Sequence, residues 1–139
     1  MDNNDLPPHR VKTCLPERRE PGTMVFNVRP GGGSDLAGGA GWIIGVDQHG
    51  NFPLNLNFDK PAQDSCALAN GNLMFSLTGA GVIMEVTRSG ELVRRWHVAG
   101  RWQNKEPPSG SIEIDIPLTH HRINMFPNGN LLLMTAEMR

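Results

Sequence analysis

With 139 residues the chain has room for one modest domain, and 16 Gly and 11 Pro beside 38% apolar content favour a turn-rich core over long helices. A net charge of −1, with Lys and Arg scattered, argues against a nucleic-acid surface, which needs a clustered basic footprint. No run approaches the roughly 18 apolar residues of a membrane span, and the start, MDNNDLPPHR, has no apolar core of the kind a signal peptide needs.

Residues 1–20 place Pro7, Pro8 and Pro16 among charged side chains, which reads as a flexible leader, draped over the surface or without fixed structure. The absent signal leaves two readings, a cytoplasmic protein or a chain whose true N-terminus is missing. Cys14 lies in this leader and Cys66 in an apolar run, so Cys66 is expected as a small buried residue. Neither belongs to a Cys-x-x-Cys pair, which argues against a structural zinc site, and a disulfide between them requires the leader to fold back.

Order is expected from Pro21-Gly22, with a strand over Thr23 to Val28. The glycine-rich stretch from Arg29 to Gly41 has no Lys-Ser/Thr ending and no helical pattern after it, so it reads as a long hairpin loop and not as a phosphate cradle. Trp42 to Val46 is the next strand, Asp47 to Asn51 a turn, and Phe52 to Phe58 the return.

Asp64 to Val98 is the best-defined stretch. Turn signals at Ala69-Asn70-Gly71, Thr78 to Gly81 and Arg88-Ser89-Gly90 cut it into four short runs. Leu73, Phe75 and Leu77 alternate in one run, and Val82, Met84 and Val86 in the next. Leu92, Trp96 and Val98 share a face in the last run, with Arg94 between them, and a period of two means strand. Gly50 and Gly90 end similar turns 40 residues apart, while PNGNLLLM at 127–134 echoes ANGNLMF at 69–75 with the glycines 58 apart. The extra length is an insertion, Ala99 to Thr119, in which Ile112, Ile114 and Ile116 alternate with Glu113 and Asp115 as a half-exposed strand.

These repeats predict an all-β chain, a partial β-propeller of about two and a quarter four-stranded antiparallel blades. Residues 21–58 are three strands of a first blade, 64–98 a second blade, 99–119 the insertion, and 120–139 the start of a third. A closed ring needs roughly four to eight blades, so the reading is a truncated product or fragment, with self-association through open strand edges as an alternative.

The candidate site is Thr119-His120-His121-Arg122, at the start of a strand nearest the propeller axis. Alternation is expected to send His120 and His121 to opposite faces, with one imidazole toward the axis to bind an anion, move a proton or act as nucleophile, and with Arg122 holding a sulfate or phosphate. Two surface histidines at a strand start are the plain structural alternative. The carboxylates Glu113 and Asp115 read as a solvated face, and His97, His49 and His9 as surface, turn and leader groups. Arg94, Arg95 and Arg101 near Trp96 and Trp102 are placed for cation–π contacts or simple packing.

GTMVFNVRPGG, WIIGVDQHGN, ALANGNLMFSL, GVIMEVTRSGELVRRW and HHRINMFPNGNLLLM together resemble the opening blades of bacterial arylsulfotransferase-like propellers, over residues 21–139. The resemblance implies a six-bladed ring that moves a sulfuryl group from an aryl sulfate to a phenol through a sulfohistidine, with no cofactor and no nucleotide sulfate donor, in a periplasmic or secreted setting. It places His120 and His121 in the axial pocket as catalytic groups and Arg122 beside the substrate. Arg122 stands where the family has Asp, and the family's sulfuryl-carrying histidine lies in a later blade, so the implied site is incomplete in this chain. A non-catalytic binding or scaffold propeller and an inactive fragment are the competing readings.

Overall fold

Four of the tight turns share one hydrogen-bond pattern, and that pattern sets the strand pairing around them. The computed structural model describes residues 6–7, 9–29, 40–77 and 79–136. In each turn the first residue's N–H donates to the carbonyl four residues on, and a glycine three residues on donates back to the first carbonyl. The pairs are Asp47 and Asn51 with Gly50, Leu68 and Asn72 with Gly71, Thr87 and Glu91 with Gly90, and Phe126 and Asn130 with Gly129, at 2.9 to 3.1 Å. Each of those glycines has φ between 84° and 88°, which suits a three-residue hairpin loop ending in a left-handed residue.

Side chains sort the four turns into two kinds. At 47 and 87 the first residue bonds forward: Asp47 Oδ1 accepts from Asn51 N at 2.8 Å, and Thr87 Oγ1 accepts from Glu91 N at 3.1 Å. At 70 and 128 the third residue does so: Asn70 Oδ1 accepts from Asn72 N, and Asn128 Oδ1 from Asn130 N, both at 3.0 Å. The sequence spacings of 40 and 58 therefore return as two pairs of like turns.

The described residues form three open sheets in an all-β chain. β1 (Thr23–Val28), β2 (Gly41–Asp47) and β3 (Leu54–Phe58) make an antiparallel sheet in that order, with Ile43, Ile44, Leu54 and Leu56 buried. β4 (Ala62–Ala67), β5 (Leu73–Leu77), β6 (Val82–Val86), β7 (Leu92–Val98) and β8 (Ile112–Ile114) make a five-stranded sheet. β9 (Ile123–Met125) and β10 (Leu131–Leu133) form an antiparallel hairpin. Contacts cluster into two compact units, with the boundary between Ala62 and Gln63. Residues 30–39, which hold most of the glycine-rich stretch, lie outside the described residues.

In the second unit the hairpin packs on the five-stranded sheet. Met74, Ile83, Trp96 and Ile123 form one buried cluster, flanked by Cys66, Leu68, Ile114, Met125, Leu131 and Leu133. Fully burying a side chain of this size stabilises by about 1.5–3 kcal/mol. Met74 and Ile83 lie on the face opposite to Phe75 and Val82, and all four are buried, so β5 and β6 are apolar on both sides. A bulge between Glu85 and Val86 sets Leu92 opposite Val86, which removes Leu92 from the regular row of Arg94 and Trp96.

The insertion is more ordered than its composition suggests. It opens with a short helix, α1 (Ala99–Trp102), and returns as β8, which pairs parallel to the outer strand β7. Gly100 donates to Ile116 O at 3.1 Å, and a Cβ at position 100 would collide with the Pro117 backbone. The backbone crossing therefore requires glycine there.

Candidate functional site

The segment before β9 is held to the segment after β10 by four bonds. Thr135 Oγ1 donates to Leu118 O at 2.7 Å, and Thr119 Oγ1 donates to Met134 O at 3.1 Å. Met134 N donates to Arg122 O and His120 N donates to Met134 O, both at 3.2 Å. Arg122 and Met134 thus continue the β9–β10 register, but the N–H that reaches Met134 O is that of His120, so three residues, His120 to Arg122, stand opposite one. His121, at the middle of this bulge, has φ of 58°, in the left-handed region. Holding a non-glycine residue there costs about 1 kcal/mol or more.

The bulge overturns the expected alternation. The His120 and His121 rings meet edge to face, with centroids 4.8 Å apart and planes at 86°. His120 is half-buried and its Nδ1 has no hydrogen-bond partner among the described residues, while His121 and Arg122 are exposed. A desolvated ring nitrogen without a partner is a cost that a bound donor or electrophile would relieve. Arg122 also acts on Cys66 in β4. Burial pushes the Cys66 thiol above its ordinary value, and the Arg122 cation opposes that rise. Both cysteines are free thiols.

Two further polar constellations lie in the same unit. His97, expected at the surface, is 5% exposed, because β8 and its approach cover the outer edge of β7. Its Nδ1 is 2.8 Å from Ser111 Oγ, and its Nε2 is 3.4 Å from Glu113 Oε2. Ser111 Oγ donates its own proton to Pro108 O, so the imidazole N–H donates to Ser111. The serine is an acceptor here, and the trio clips the insertion to the sheet. Sequence reasoning missed it because a parallel pairing over three residues leaves no turn signal. Glu113 is drawn to His97, while Asp115 lies past the end of β8.

Glu85 is a second buried ionisable group, at 2% exposure. Asn72 Nδ2 and Asn70 Nδ2 donate to its Oε1 at 2.7 and 2.9 Å, and Arg94 Nε lies 3.9 Å from Oε2. Burial works to raise its carboxyl, but the two amides and the Arg94 cation outweigh it and hold the group below the ordinary carboxylate range. Arg94 in turn lies 5.5 Å from the centre of the Trp96 ring, while over Trp102 the cation is Lys105, at 4.0 Å. No group of three or more His, Cys, Asp or Glu side chains could hold a metal ion among the described residues. Nor is any helix among them long and apolar enough to cross a membrane.

No protein-family model matches the chain. No curated protein matches it. Among solved structures it is similar to the 1.35 Å crystal structure of a protein of unknown function from Bacteroides caccae, with 17% identity and a TM-score of 0.46. That similarity covers 72% of this chain and 35% of the other, so this chain spans about a third of that protein's length.

Proposed function

We propose that the chain carries blades of an arylsulfotransferase-type β-propeller and that His120, His121 and Arg122 engage the sulfuryl group of an aryl sulfate. The observation that carries this reading is the His120–His121 contact beside Arg122, with His120 Nδ1 desolvated and unpartnered. In such a transfer an imidazole lone pair forms an N–S bond while the S–O bond to the aryl group breaks, and its electron pair leaves with the phenolate. An acceptor phenol then gives its proton, through solvent, to the released phenolate and attacks the same sulfur, which breaks the N–S bond and frees the imidazole. Arg122 stabilises the equatorial oxygens by charge. The motif order from Thr23 to Leu133, and the two pairs of like turns, support the propeller reading.

A second reading is favoured by one residue. Arg122 stands where the resembled family has an acid that could orient an imidazole, and a cation there suits anion binding without turnover. Titrating the chain with 4-nitrophenyl sulfate, while following 4-nitrophenolate release with and without added phenol, separates the two. Release that depends on His120 or His121 supports transfer. Binding without release supports a non-catalytic anion site, and no binding overturns both.

A further inference from the structure

The first unit holds a cavity that the imidazole pair does not use. The β1–β2 register sets Phe26 opposite Ile44, with Val28 and Val46 on the same face. The leader runs across that face. His9 meets the Phe52 ring edge-on at 4.7 Å, Cys14 Sγ donates weakly to Gln48 O at 3.9 Å, and Arg19 Nη1 donates to Asp47 O at 3.3 Å. Between leader and sheet lies a space of about 560 Å³, within the range of small-molecule sites. Its floor is Phe26, Ile44, Val46 and Phe52.

The walls are cationic. Arg10, Lys12 and Arg19 line the cavity, and among the described residues no Asp or Glu does. Arg10 and Lys12 have no hydrogen-bond or ion-pair partner among the described residues, and Arg19 bonds only a backbone carbonyl. An apolar floor with two flat rings rejects a hydrated inorganic ion, and three uncompensated cations reject a metal or an amine. We infer that this cavity binds an organic anion with a flat apolar body, such as an aromatic sulfonate or carboxylate, its ring on Phe26 and Phe52 and its charge toward Arg10 and Lys12. Aromatic and aliphatic walls supply the burial, and the cations supply selection for charge.

The cavity also gives Cys14 a reporting role, because its thiol stands in the wall. An occupant must therefore shield it from small alkylating reagents.

Isothermal titration of the full chain with 2-naphthalenesulfonate tests the inference, with uncharged 2-naphthalenemethanol as comparison and iodoacetamide labelling of Cys14 as a second readout. The sulfonate is expected to bind one to one, about tenfold more tightly than the alcohol, and the double variant R10Q/K12Q to lose about tenfold for the sulfonate alone. Both side chains are exposed, so this variant leaves the core intact. The bound sulfonate should slow labelling of Cys14 and leave Cys66 unchanged. Absence of binding, equal affinity for the alcohol, an unaltered double variant or an unshielded Cys14 would each overturn the assignment. None of these outcomes bears on the imidazole pair, which belongs to the other unit.

Discussion

His97 Nδ1 lies 2.8 Å from Ser111 Oγ, a contact that ties an outer strand to an insertion 14 residues downstream. With Glu113 on its other nitrogen, His97 meets the residue just before the short strand β8 and the residue at its middle. Three residues of parallel pairing are weak by themselves, so the clip decides whether β8 stays docked. His97→Ala should release Ile112 to Ile114 while leaving β5 and β6 intact. Amide hydrogen exchange checks it: faster exchange at 112–114 alone is expected, with a stability loss of about 1–3 kcal/mol.

Glu85 predicts an acid-side dependence. Its carboxyl is held below the ordinary value of 4.5, so its contribution is fully present above that value and is lost as pH falls through the lower folded value. Glu85→Ala also leaves two amides without their acceptor. Urea unfolding at neutral pH should show a loss of about 3 kcal/mol, and the variant's stability should fall less steeply than the parent's in the acid range.

His121 combines a strained backbone with a ring in contact. His121→Gly should keep or slightly raise thermal stability, since glycine tolerates φ of 58° without strain. His121→Val should lower it by about 1–2 kcal/mol, because a β-branched residue resists that conformation. Thermal melts of the two variants check the order. Equal melting temperatures would mean that the bulge does not survive in solution.

The local structure was largely legible in the residues. Alternation in Leu73 to Leu77 and Val82 to Val86, together with Gly50, Gly71, Gly90 and Gly129, located the strands and turns, because hairpin loops demand specific residue types. Strand ends moved by a residue or two, as at Gly41–Asp47 and Leu54–Phe58. Three features were hidden. Parallel pairing of β8 depends on contacts distant in sequence, burial of His97 follows from that pairing, and the bulge at His121 carries no glycine or asparagine to announce it. The candidate pair was legible as His120-His121, but its geometry was not, since regular alternation would have parted rings that the bulge brings together.

The most direct test of the imidazole pair as a sulfuryl-binding site is a titration of the chain with 4-nitrophenyl sulfate, read through the ring Cε1–H resonances of its histidines. The expected result is saturable shifts at His120 and His121 that weaken when Arg122 becomes Gln, with His97 and His49 unmoved. Shifts absent from the pair, or unaffected by Arg122→Gln, would contradict it.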